Sequence, residues 1–399
     1  WDGNNVIYST DYFEGSDQVT DSEGKAPSDI TVIYRVFNGS SASTDNTTKV
    51  KIRVGDWFKT ATSETDETRV DIDFDVPVFR ITNQNTEVEY NYIQRAIDNA
   101  TAGHTVILSS GEYNENVVID KPITLAGSGQ STVITVDTSG QGSPPLVDST
   151  TDGVRITSDG VTVQNLQVSN FSKGLNVSDS DSVTISYVGI YNSDTAGVYV
   201  TSSDNLVLRN LYTSGNFVNI DVDGDSSDLT IEDTVSTESD NISMIIGSAD
   251  SYLSNVTIFN NDGHGLSISG SGTTITGSQI YSNGQNGIRL QSITSATIDH
   301  NTIFDNGNTE VYVISSVNVD IYENHIFDEY YGVGISTPGS EDIEIYRNEM
   351  ELSIHLSASN SVISDNNFVN VTGSPPHTDY DNVAIVLSGS YNTIADNSI

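Results

Sequence analysis

The stretch Val198-Tyr-Val-Thr-Ser-Ser-Asp-Asn-Leu-Val-Leu-Arg-Asn-Leu211 contains three short apolar runs separated by polar turns. Apolar and polar residues alternate within the runs, which is typical of short strands and not of helices. Its opening apolar pair recurs about every 22 residues, at Leu175/Val177, Val198/Val200, Ile220/Val222, Met244/Ile246, Leu266/Ile268, Ile288/Leu290, Val311/Val313, Val333/Ile335 and Ile354/Leu356. A fixed period of this length predicts stacked units that each bury one face.

Three short strands per unit, joined by short corners, predict an all-β fold: a right-handed parallel β-helix over residues 87–399, with about one coil per unit. The corners are rich in asparagine, which tolerates positive φ at little cost. Asparagines at equivalent corners of successive coils can also form hydrogen-bonded ladders. We therefore interpret nearly all of the corner asparagines as structural, namely Asn210, Asn260, Asn261, Asn283, Asn301, Asn306, Asn324, Asn348 and Asn366.

Residues 1–86 do not follow the repeat. Strand-like runs occur at Thr31–Phe37, Lys49–Phe58 and Arg69–Ile81, separated by links rich in Ser, Thr, Asn and Asp. Strict alternation in the last of these runs indicates a half-buried antiparallel strand. We predict a small β-sandwich or immunoglobulin-like domain, which packs on the solenoid or mediates contacts between subunits.

One helix is predicted, over Glu89–Ala100, because Ile93, Ala96 and Ile97 fall at helical spacing and Gly103 supplies a stop. It precedes the first predicted solenoid strand, Val106–Leu108. A helix at this point would cap the open end of the β-helix, which otherwise exposes unpaired backbone and apolar core.

The composition is strongly acidic. The chain has 399 residues, with 55 Asp and Glu against 15 Lys and Arg, a formal net charge of −40. Such a surface repels nucleic acid and anionic lipid, which excludes both as main partners and argues against direct membrane insertion. Molar salt shortens the screening length to about 3 Å and relieves the self-repulsion. The composition therefore indicates a salt-adapted, haloarchaeal source or, alternatively, a calcium-rich extracellular setting.

The chain contains no cysteine, so neither disulfides nor thiolate metal sites are available. It begins without Met and ends inside a coil, and we interpret it as a segment of a longer precursor whose leader and anchor lie elsewhere. The many Asn, Ser and Thr residues yield about as many glycosylation sequons as chance would. These sequons permit glycosylation at Asn38, Asn46, Asn99, Asn170, Asn176, Asn241, Asn255 and Asn370.

A family resemblance is carried by the run Ile93-Gln-Arg-Ala-Ile-Asp-Asn-Ala followed by Gly103-His-Thr-Val-Ile-Leu-Ser-Ser-Gly-Glu-Tyr-Asn-Glu-Asn-Val-Val-Ile-Asp-Lys-Pro-Ile-Thr-Leu-Ala-Gly127. This run resembles the beginning of pectin-lyase-like β-helix proteins, in particular NosD-like and carbohydrate-binding or sugar-hydrolase repeat proteins of archaeal cell surfaces. The resemblance covers about residues 90–399 and implies the right-handed parallel β-helix. It implies no single activity, because the superfamily includes enzymes, adhesins and inert surface proteins.

The strongest catalytic candidates lie in Gly263-His-Gly-Leu-Ser-Ile268, which resembles the histidine motif of polygalacturonases. Asn219-Ile-Asp221, Ser239-Asp240 and Asn286-Gly-Ile-Arg-Leu-Gln291 resemble further motifs of that family about one coil to either side. The resemblance implies Asp240, His264 and Arg289 as weak catalytic candidates. An inverting hydrolase needs two carboxyl groups about 6.5–9.5 Å apart, with room for water between them.

The sequence departs from that pattern in ways that favour a non-catalytic protein. Ser239 replaces a carboxylate, and Gln291 replaces a lysine that would bind a uronate. Asp221 also lies in a different register of the repeat from His264. We therefore expect no cleavage of uronans.

A calcium site is a second possibility, since the segment Asp221-Val-Asp-Gly-Asp-Ser-Ser-Asp228 groups Asp221, Asp223, Asp225 and Asp228 around a glycine turn. Carboxylate oxygens are the ligands that Ca²⁺ prefers. The six histidines, His104, His264, His300, His325, His355 and His377, show no metal-ligand spacing, so no copper or zinc site is expected.

Aromatic residues recur after the third strand or in corners, at Tyr187, Tyr191, Tyr212, Tyr281, Phe304, Tyr322, Phe327, Tyr330, Tyr331 and Tyr346. Facing outward, they would form a stripe for sugar stacking or subunit contact, whereas facing inward they would fill the core. The stretch 373–381 lengthens one coil and is a candidate binding loop.

These observations leave three functions open. The first is a non-catalytic surface protein, such as a surface-layer, sheath, filament or adhesin subunit, that associates with itself, with other surface proteins or with glycans. The second is an extracellular enzyme acting on acidic polysaccharide. The third is a virion spike or capsid appendage of an archaeal virus.

Overall fold

The structure is a computed structural model and describes residues 48–54, 57–63, 81–90, 92–136, 151–328, 333–369 and 383–399. Before the solenoid, β1 (Thr48–Val54) and β2 (Trp57–Ser63) pair antiparallel, with Val54 in register with Trp57. The run Lys49–Phe58 is therefore not one strand, since β1 ends at Val54 and β2 begins at Trp57. The runs Thr31–Phe37 and 69–80 lie outside the described residues.

The first coil is preceded by β3 (Ile81–Asn83), β4 (Val88–Tyr90) and α1 (Ile93–Asp98). β3 pairs antiparallel with β4 and also with β5 (Thr105–Leu108), so pairing with the solenoid begins at residue 81. The helix is shorter than the expected Glu89–Ala100 because Val88–Tyr90 is held in the sheet. Ile93, Ala96 and Ile97 bury its inner face, and both Glu115 carboxylate oxygens accept its first amides, Ile93 N–H at 2.8 Å and Gln94 N–H at 3.1 Å.

The remaining strands follow in chain order. Those up to the fourth coil are β6 (Gly111–Tyr113), β7 (Val117–Ile119), β8 (Thr124–Ala126), β9 (Thr132–Thr135), β10 (Asp152–Ile156), β11 (Thr162–Ser169), β12 (Lys173–Ser178), β13 (Thr184–Tyr191), β14 (Ala196–Thr201), β15 (Val207–Arg209) and β16 (Tyr212–Ser214). The middle strands are β17 (Val218–Val222), β18 (Thr230–Glu232), β19 (Val235–Thr237), β20 (Met244–Ile246), β21 (Tyr252–Ser254), β22 (Thr257–Phe259), β23 (Leu266–Ile268), β24 (Thr273–Thr276), β25 (Gln279–Tyr281), β26 (Ile288–Gln291), β27 (Ala296–Asp299) and β28 (Thr302–Phe304). The last strands are β29 (Thr309–Ile314), β30 (Val317–Tyr322), β31 (His325–Phe327), β32 (Val333–Ser336), β33 (Ser340–Tyr346), β34 (Glu349–Met350), β35 (Ser353–Ser359), β36 (Val362–Ser364), β37 (Asn367–Phe368), β38 (Ile385–Ser388) and β39 (Thr393–Ala395).

Every strand from β5 onward pairs in parallel with the equivalent strand of a neighbouring coil, which confirms the right-handed parallel β-helix. The repeat is about 23 residues per coil. Three strand columns run along the solenoid. The marker sheet contains β14, β17, β20, β23, β26, β29, β32, β35 and β38, the second sheet contains β15, β18, β21, β24, β27, β30, β33, β36 and β39, and the third sheet contains β16, β19, β22, β25, β28, β31, β34 and β37.

The recurring apolar pair faces the core. Ile220, Leu266 and Ile288 are fully buried and stack in register from coil to coil. One expected pair is wrong, because the structure aligns Val311 with Ile335 instead of Val333. A register shift in β32 turns Val333 partly outward and buries Thr337 in its place.

The predicted asparagine ladders are present at two corners. In the first, Asn261 Nδ2 donates to Asn283 Oδ1 at 2.7 Å, and Asn283 Nδ2 donates to Asn306 Oδ1 at 2.8 Å. The second runs through Asn301, Asn324, Asn348, Asn366 and Asn397 with Nδ2-to-Oδ1 distances of 2.9–3.0 Å. Buried corner amides are thereby satisfied, which removes the cost of leaving them unpaired.

Candidate functional site

His264 lies at the corner that leads into β23, and its ring is part of the corner hydrogen bonding. The backbone N–H of Asn286, one coil later, donates to His264 Nδ1 at 3.1 Å. Asn286 repeats this role for the following coil, since its Oδ1 accepts the Thr309 N–H at 3.1 Å. Because Nδ1 is an acceptor, the neutral ring carries its proton on Nε2. Burial, assisted by the nearby Arg289 cation, lowers the pKa of His264.

Close packing explains why both residues beside His264 are glycines. A Cβ on Gly265 would lie 2.7 Å from the Gly287 carbonyl oxygen and 3.0 Å from Asn283 Nδ2. A Cβ on Gly263 would lie 2.8 Å from the Asn241 carbonyl carbon and oxygen. The Gly-His-Gly motif therefore follows from close packing of neighbouring coils against the asparagine ladder.

Ser239 occupies a ladder position one coil before Asn261. Its backbone N–H donates to Asn261 Oδ1 at 2.9 Å, and its Oγ donates to the Asn241 carbonyl at 3.0 Å. The side chain is buried, whereas the adjacent Asp240 is exposed. The two positions that resemble a pair of catalytic aspartates therefore point into different environments.

Asp221 and Arg289 face outward from the marker sheet in the same column. They are separated by three strand spacings, through Ile245 and Ser267. At about 4.8 Å per strand, this separation is about 14 Å. His264 lies three residues before Ser267, so it is offset from Asp221 both along the strand and across two coils. The structure places Arg289 near His264, whereas Asp221 is not in the same register.

Two aspartates of the 221–228 segment take part in the turn itself. Asp223 Oδ1 accepts the Ser226 hydroxyl at 3.0 Å and the Asp225 N–H at 3.2 Å, while Asp228 adopts a positive φ. Burial and the Asp223 charge raise the pKa of Asp221, and Lys173 opposes the shift. In the part of the chain that the structure describes, no three His, Cys, Asp or Glu side chains are grouped so as to hold a metal ion.

The histidines are engaged separately. His104 contacts the Asn83 amide through Nδ1 at 3.0 Å and the Thr101 hydroxyl through Nε2 at 2.6 Å. His300 bridges two carboxylates, with Nδ1 2.8 Å from Asp299 and Nε2 2.8 Å from Glu323. His377 lies outside the described residues, as does the stretch 373–381.

The sequons differ in accessibility. Asn99 and Asn255 are exposed, and Asn170 and Asn241 are partly buried. Asn176 is buried and donates its amide to Asp152 at 2.7 Å, which leaves this side chain no room for a glycan. Asn38, Asn46 and Asn370 lie outside the described residues.

The aromatic residues of the third sheet face outward and stack. Phe259, Tyr281, Phe304 and Phe327 lie one per coil, with ring centroids 5.2, 4.7 and 4.7 Å apart and rings within 7° of parallel. In the second sheet, Tyr322 and Tyr346 stack at 4.8 Å. The sequence contains a signal for this stack, because a tripeptide with a central Ile and a final aromatic residue recurs once per coil. The tripeptides are Thr-Ile-Phe at 257, Gln-Ile-Tyr at 279, Thr-Ile-Phe at 302 and His-Ile-Phe at 325, and in each the Ile faces inward and the ring faces outward.

Two carboxyl groups that the sequence analysis did not single out lie side by side on the second sheet. Asp320 and Glu344 are register partners on neighbouring strands and both face outward. Burial and the Glu344 charge raise the pKa of Asp320. Nearby, Arg347 lies 3.4 Å from Glu323, which continues the ion-pair network from Asp299 and His300. Repeat periodicity places such residues together, but the sequence alone does not show which outward positions are half-buried.

Comparisons with known proteins identify the fold and a family. Residues 97–309 match the family described as periplasmic copper-binding protein (NosD), and residues 241–399 match the right handed beta helix region family. No curated protein sequence is significantly similar to the chain.

The solved structures that share the fold include the following three. The AlgE6 A-module of the Azotobacter vinelandii mannuronan C-5 epimerase matches at 19% identity and a TM-score of 0.56, over 77% of this chain and 94% of that one. The A-module of the AlgE4 mannuronan C-5 epimerase of the same organism matches at 21% identity and a TM-score of 0.56, over 77% of this chain and 92% of that one. The Dettilon tailspike protein gp208 matches at 10% identity and 0.53, over 76% and 64%.

Proposed function

The chain belongs to the family described as periplasmic copper-binding protein (NosD), and from that premise we propose a non-catalytic role as a structural or adhesive surface component outside the cytoplasm. The observation that carries the proposal is the use made of the residues most similar to a catalytic set. His264 and Ser239 bond to neighbouring coils and hold corners together. His264 Nδ1 and the Ser239 hydroxyl are committed to the fold, and Asp221 lies out of register with His264.

The location follows from the family's description as periplasmic, which supports a periplasmic or extracellular protein. The described residues contain no helix long and apolar enough to cross a membrane. The net charge of −40 favours salt-rich surroundings, and we propose a halophilic archaeal surface as the setting.

Copper has no place in this proposal, because the described residues do not fit a copper site. Cysteine is absent from the chain, and both methionines, Met244 and Met350, are fully buried in the core. The described histidines reported above each have their own protein partners and do not converge. Copper sites need several convergent imidazole or sulfur ligands.

Imaging of native material tests the proposal. Antibody raised against this chain should label cell envelopes at regular spacing, in an array, sheath or filament. Labelling confined to the cytoplasm would contradict it. Labelling of particles with a threefold axis along the solenoid would replace it with the virion role.

A second candidate, an enzyme acting on polysaccharide, is favoured by one observation only. Asp320 and Glu344 lie on adjacent strands, and the raised pKa of Asp320 suits a proton donor. A retaining glycosidase places its carboxyl groups about 5 Å apart, close to the strand spacing. Hydrolytic activity lost in both Asp320→Asn and Glu344→Gln would support this alternative.

A further inference from the structure

An uncharged stripe crosses the outer face of the third sheet. It consists of the outward residues of four consecutive strands, which are Thr257, Phe259, Gln279, Tyr281, Thr302, Phe304, His325 and Phe327. None of these eight is Asp, Glu, Lys or Arg, in a chain that carries 55 acidic residues. Val235 and Tyr212 continue the stripe toward the N-terminus, and Glu349 ends it on the other side.

Among the described residues the second sheet lacks such a stripe, and charged side chains interrupt the outer face of the marker sheet before β29; from β29 onward its outward residues, such as Tyr312, Ser336 and Ser357, carry no formal charge but form no ring stack. Outward positions of the second sheet include Glu232, Asp320 and Glu344, and those of the marker sheet include Asp221 and Arg289. Carboxylates on these faces of two copies would repel each other across any direct contact.

The stacked rings do not suit sugar binding. A sugar packs its apolar side on the face of an aromatic ring, but here the faces are covered by the neighbouring rings at 4.7–5.2 Å. The stack instead presents ring edges as a rigid apolar ridge. Such a ridge loses little side-chain entropy when another surface covers it, because stacking already fixes the rings.

We propose that this stripe is the lateral contact between two copies of this chain. A second copy is the occupant because a contact through this stripe on both molecules places no carboxylate of one stripe against the other, whereas the net charge of −40 disfavours contact through the acidic faces. An isologous contact pairs the same patch on both molecules, and the stripe is uncharged on both sides. The inference rests on the proposed structural function, for which it supplies the assembly contact.

Salt should strengthen this contact. The corners beside the stripe carry Glu238, Asp305 and Asp328 on one edge and Glu323 on the other. In a dimer these carboxylates would form the rim and repel across the interface. At about 3 M NaCl the screening length falls to about 2–3 Å, so the repulsion largely disappears while the apolar contact remains.

Sedimentation equilibrium of the full chain at about 0.1 and 3 M NaCl tests the proposal. The native chain should be dimeric or larger at high salt and dissociate at low salt. Gln279→Glu adds one carboxylate to the stripe without touching the ring stack, and we expect at least a ~10-fold weaker association. The matched control Gln291→Glu makes the same change at an exposed position of the marker sheet and should associate like the native chain. Equal melting temperatures of the three proteins exclude misfolding as the cause.

Single-cysteine cross-linking locates the contact, since the chain has no native cysteine. Gln279→Cys should cross-link with a short bis-maleimide at high salt, whereas Thr297→Cys on the second sheet should not. A native chain that stays monomeric at high salt overturns the stripe contact, as does association that Gln279→Glu leaves unchanged. These outcomes leave the non-catalytic function standing, whereas polysaccharide turnover by a dimeric protein would remove the function and keep the contact.

Discussion

At the scale of single residues, Glu310 shows how a ladder can end. It lies immediately before the marker pair Val311/Val313, a position held in preceding coils by Gly265 and Gly287. Its Oε1 accepts the Asn306 N–H at 3.2 Å, and its Oε2 accepts the Asn306 Nδ2 group. The carboxyl therefore takes the place of the next ladder amide. Asn216 is held in the same way by a residue three positions later, since its Nδ2 donates to Asn219 Oδ1 at 2.7 Å.

Burial raises the pKa of Glu310 to about 8, against the two Asn306 hydrogen bonds, with smaller contributions from Asp328 and Asp305. The unfolded group would titrate near its ordinary value of 4.5. Between these values the folded chain holds a proton that the unfolded chain has released. The stabilisation is therefore complete below about pH 4.5 and is lost as the pH rises through about 8.

We predict that Glu310→Gln reduces the loss of stability between about pH 4.5 and 8, which in the native chain amounts to at most about 5 kcal/mol from this group. Denaturant unfolding of both proteins at several pH values in high salt measures the difference. Parallel pH profiles would mean that Glu310 is already ionised, or hydrated, in the folded chain.

At the scale of the elements, stacking of inward residues supports the solenoid. Ile288 is fully buried between Leu266 and Val311, its register partners on either side. We predict that Ile288→Asp destabilises the chain by several kcal/mol, about 3 or more, because an unpaired carboxylate would enter the apolar core. Ser267→Asp, which adds the same group to the outer face of β23, is the control. Thermal melts followed by circular dichroism should separate the two variants, and similar melting temperatures would contradict the inward register.

Much of this architecture could be predicted from the sequence, because the inward pairs repeat almost without insertion and many corner asparagines recur one coil later. The prediction failed where a polar residue faces inward: Thr337 is buried, so Val333/Ile335 was chosen in place of Ile335/Thr337. Strand alternation likewise places Glu310 outward, since Val311 and Val313 are inward. Glu310 is buried instead, because its carboxyl group turns back to Asn306 at the preceding corner, which no period-two pattern shows.

The candidate site was only partly accessible to sequence reasoning. The offset between Asp221 and His264 could be counted from the repeat, and the structure has the same offset. The repeat spacing could not show that His264 Nδ1 accepts a backbone hydrogen bond, because that bond depends on the distance between the ring and the Asn286 N–H. The carboxyl pair Asp320 and Glu344 depends on a register that the irregular spacing at β32 and β33 obscures.

At the scale of the whole molecule, charge dominates. A formal charge of −40 on a rod-shaped stack of coils produces strong self-repulsion at low ionic strength. We predict that the melting temperature rises markedly from about 0.05 to 3 M NaCl, because screening removes this repulsion. Differential scanning calorimetry at several NaCl concentrations measures the melting temperature. A constant melting temperature over that range would contradict salt adaptation and weaken the assignment to a halophilic source.

The central claim is that this β-helix is a surface component and not an enzyme. The most direct test is turnover of a polysaccharide panel, covering polygalacturonate, alginate and neutral glucans, at low and high salt. Reducing ends and unsaturated products are measured, together with epimerised residues by NMR. We predict no turnover above that of heat-denatured chain. Turnover that disappears in His264→Ala, Asp240→Asn or Asp320→Asn, in variants that keep the native melting temperature, would contradict the claim and establish a catalytic β-helix.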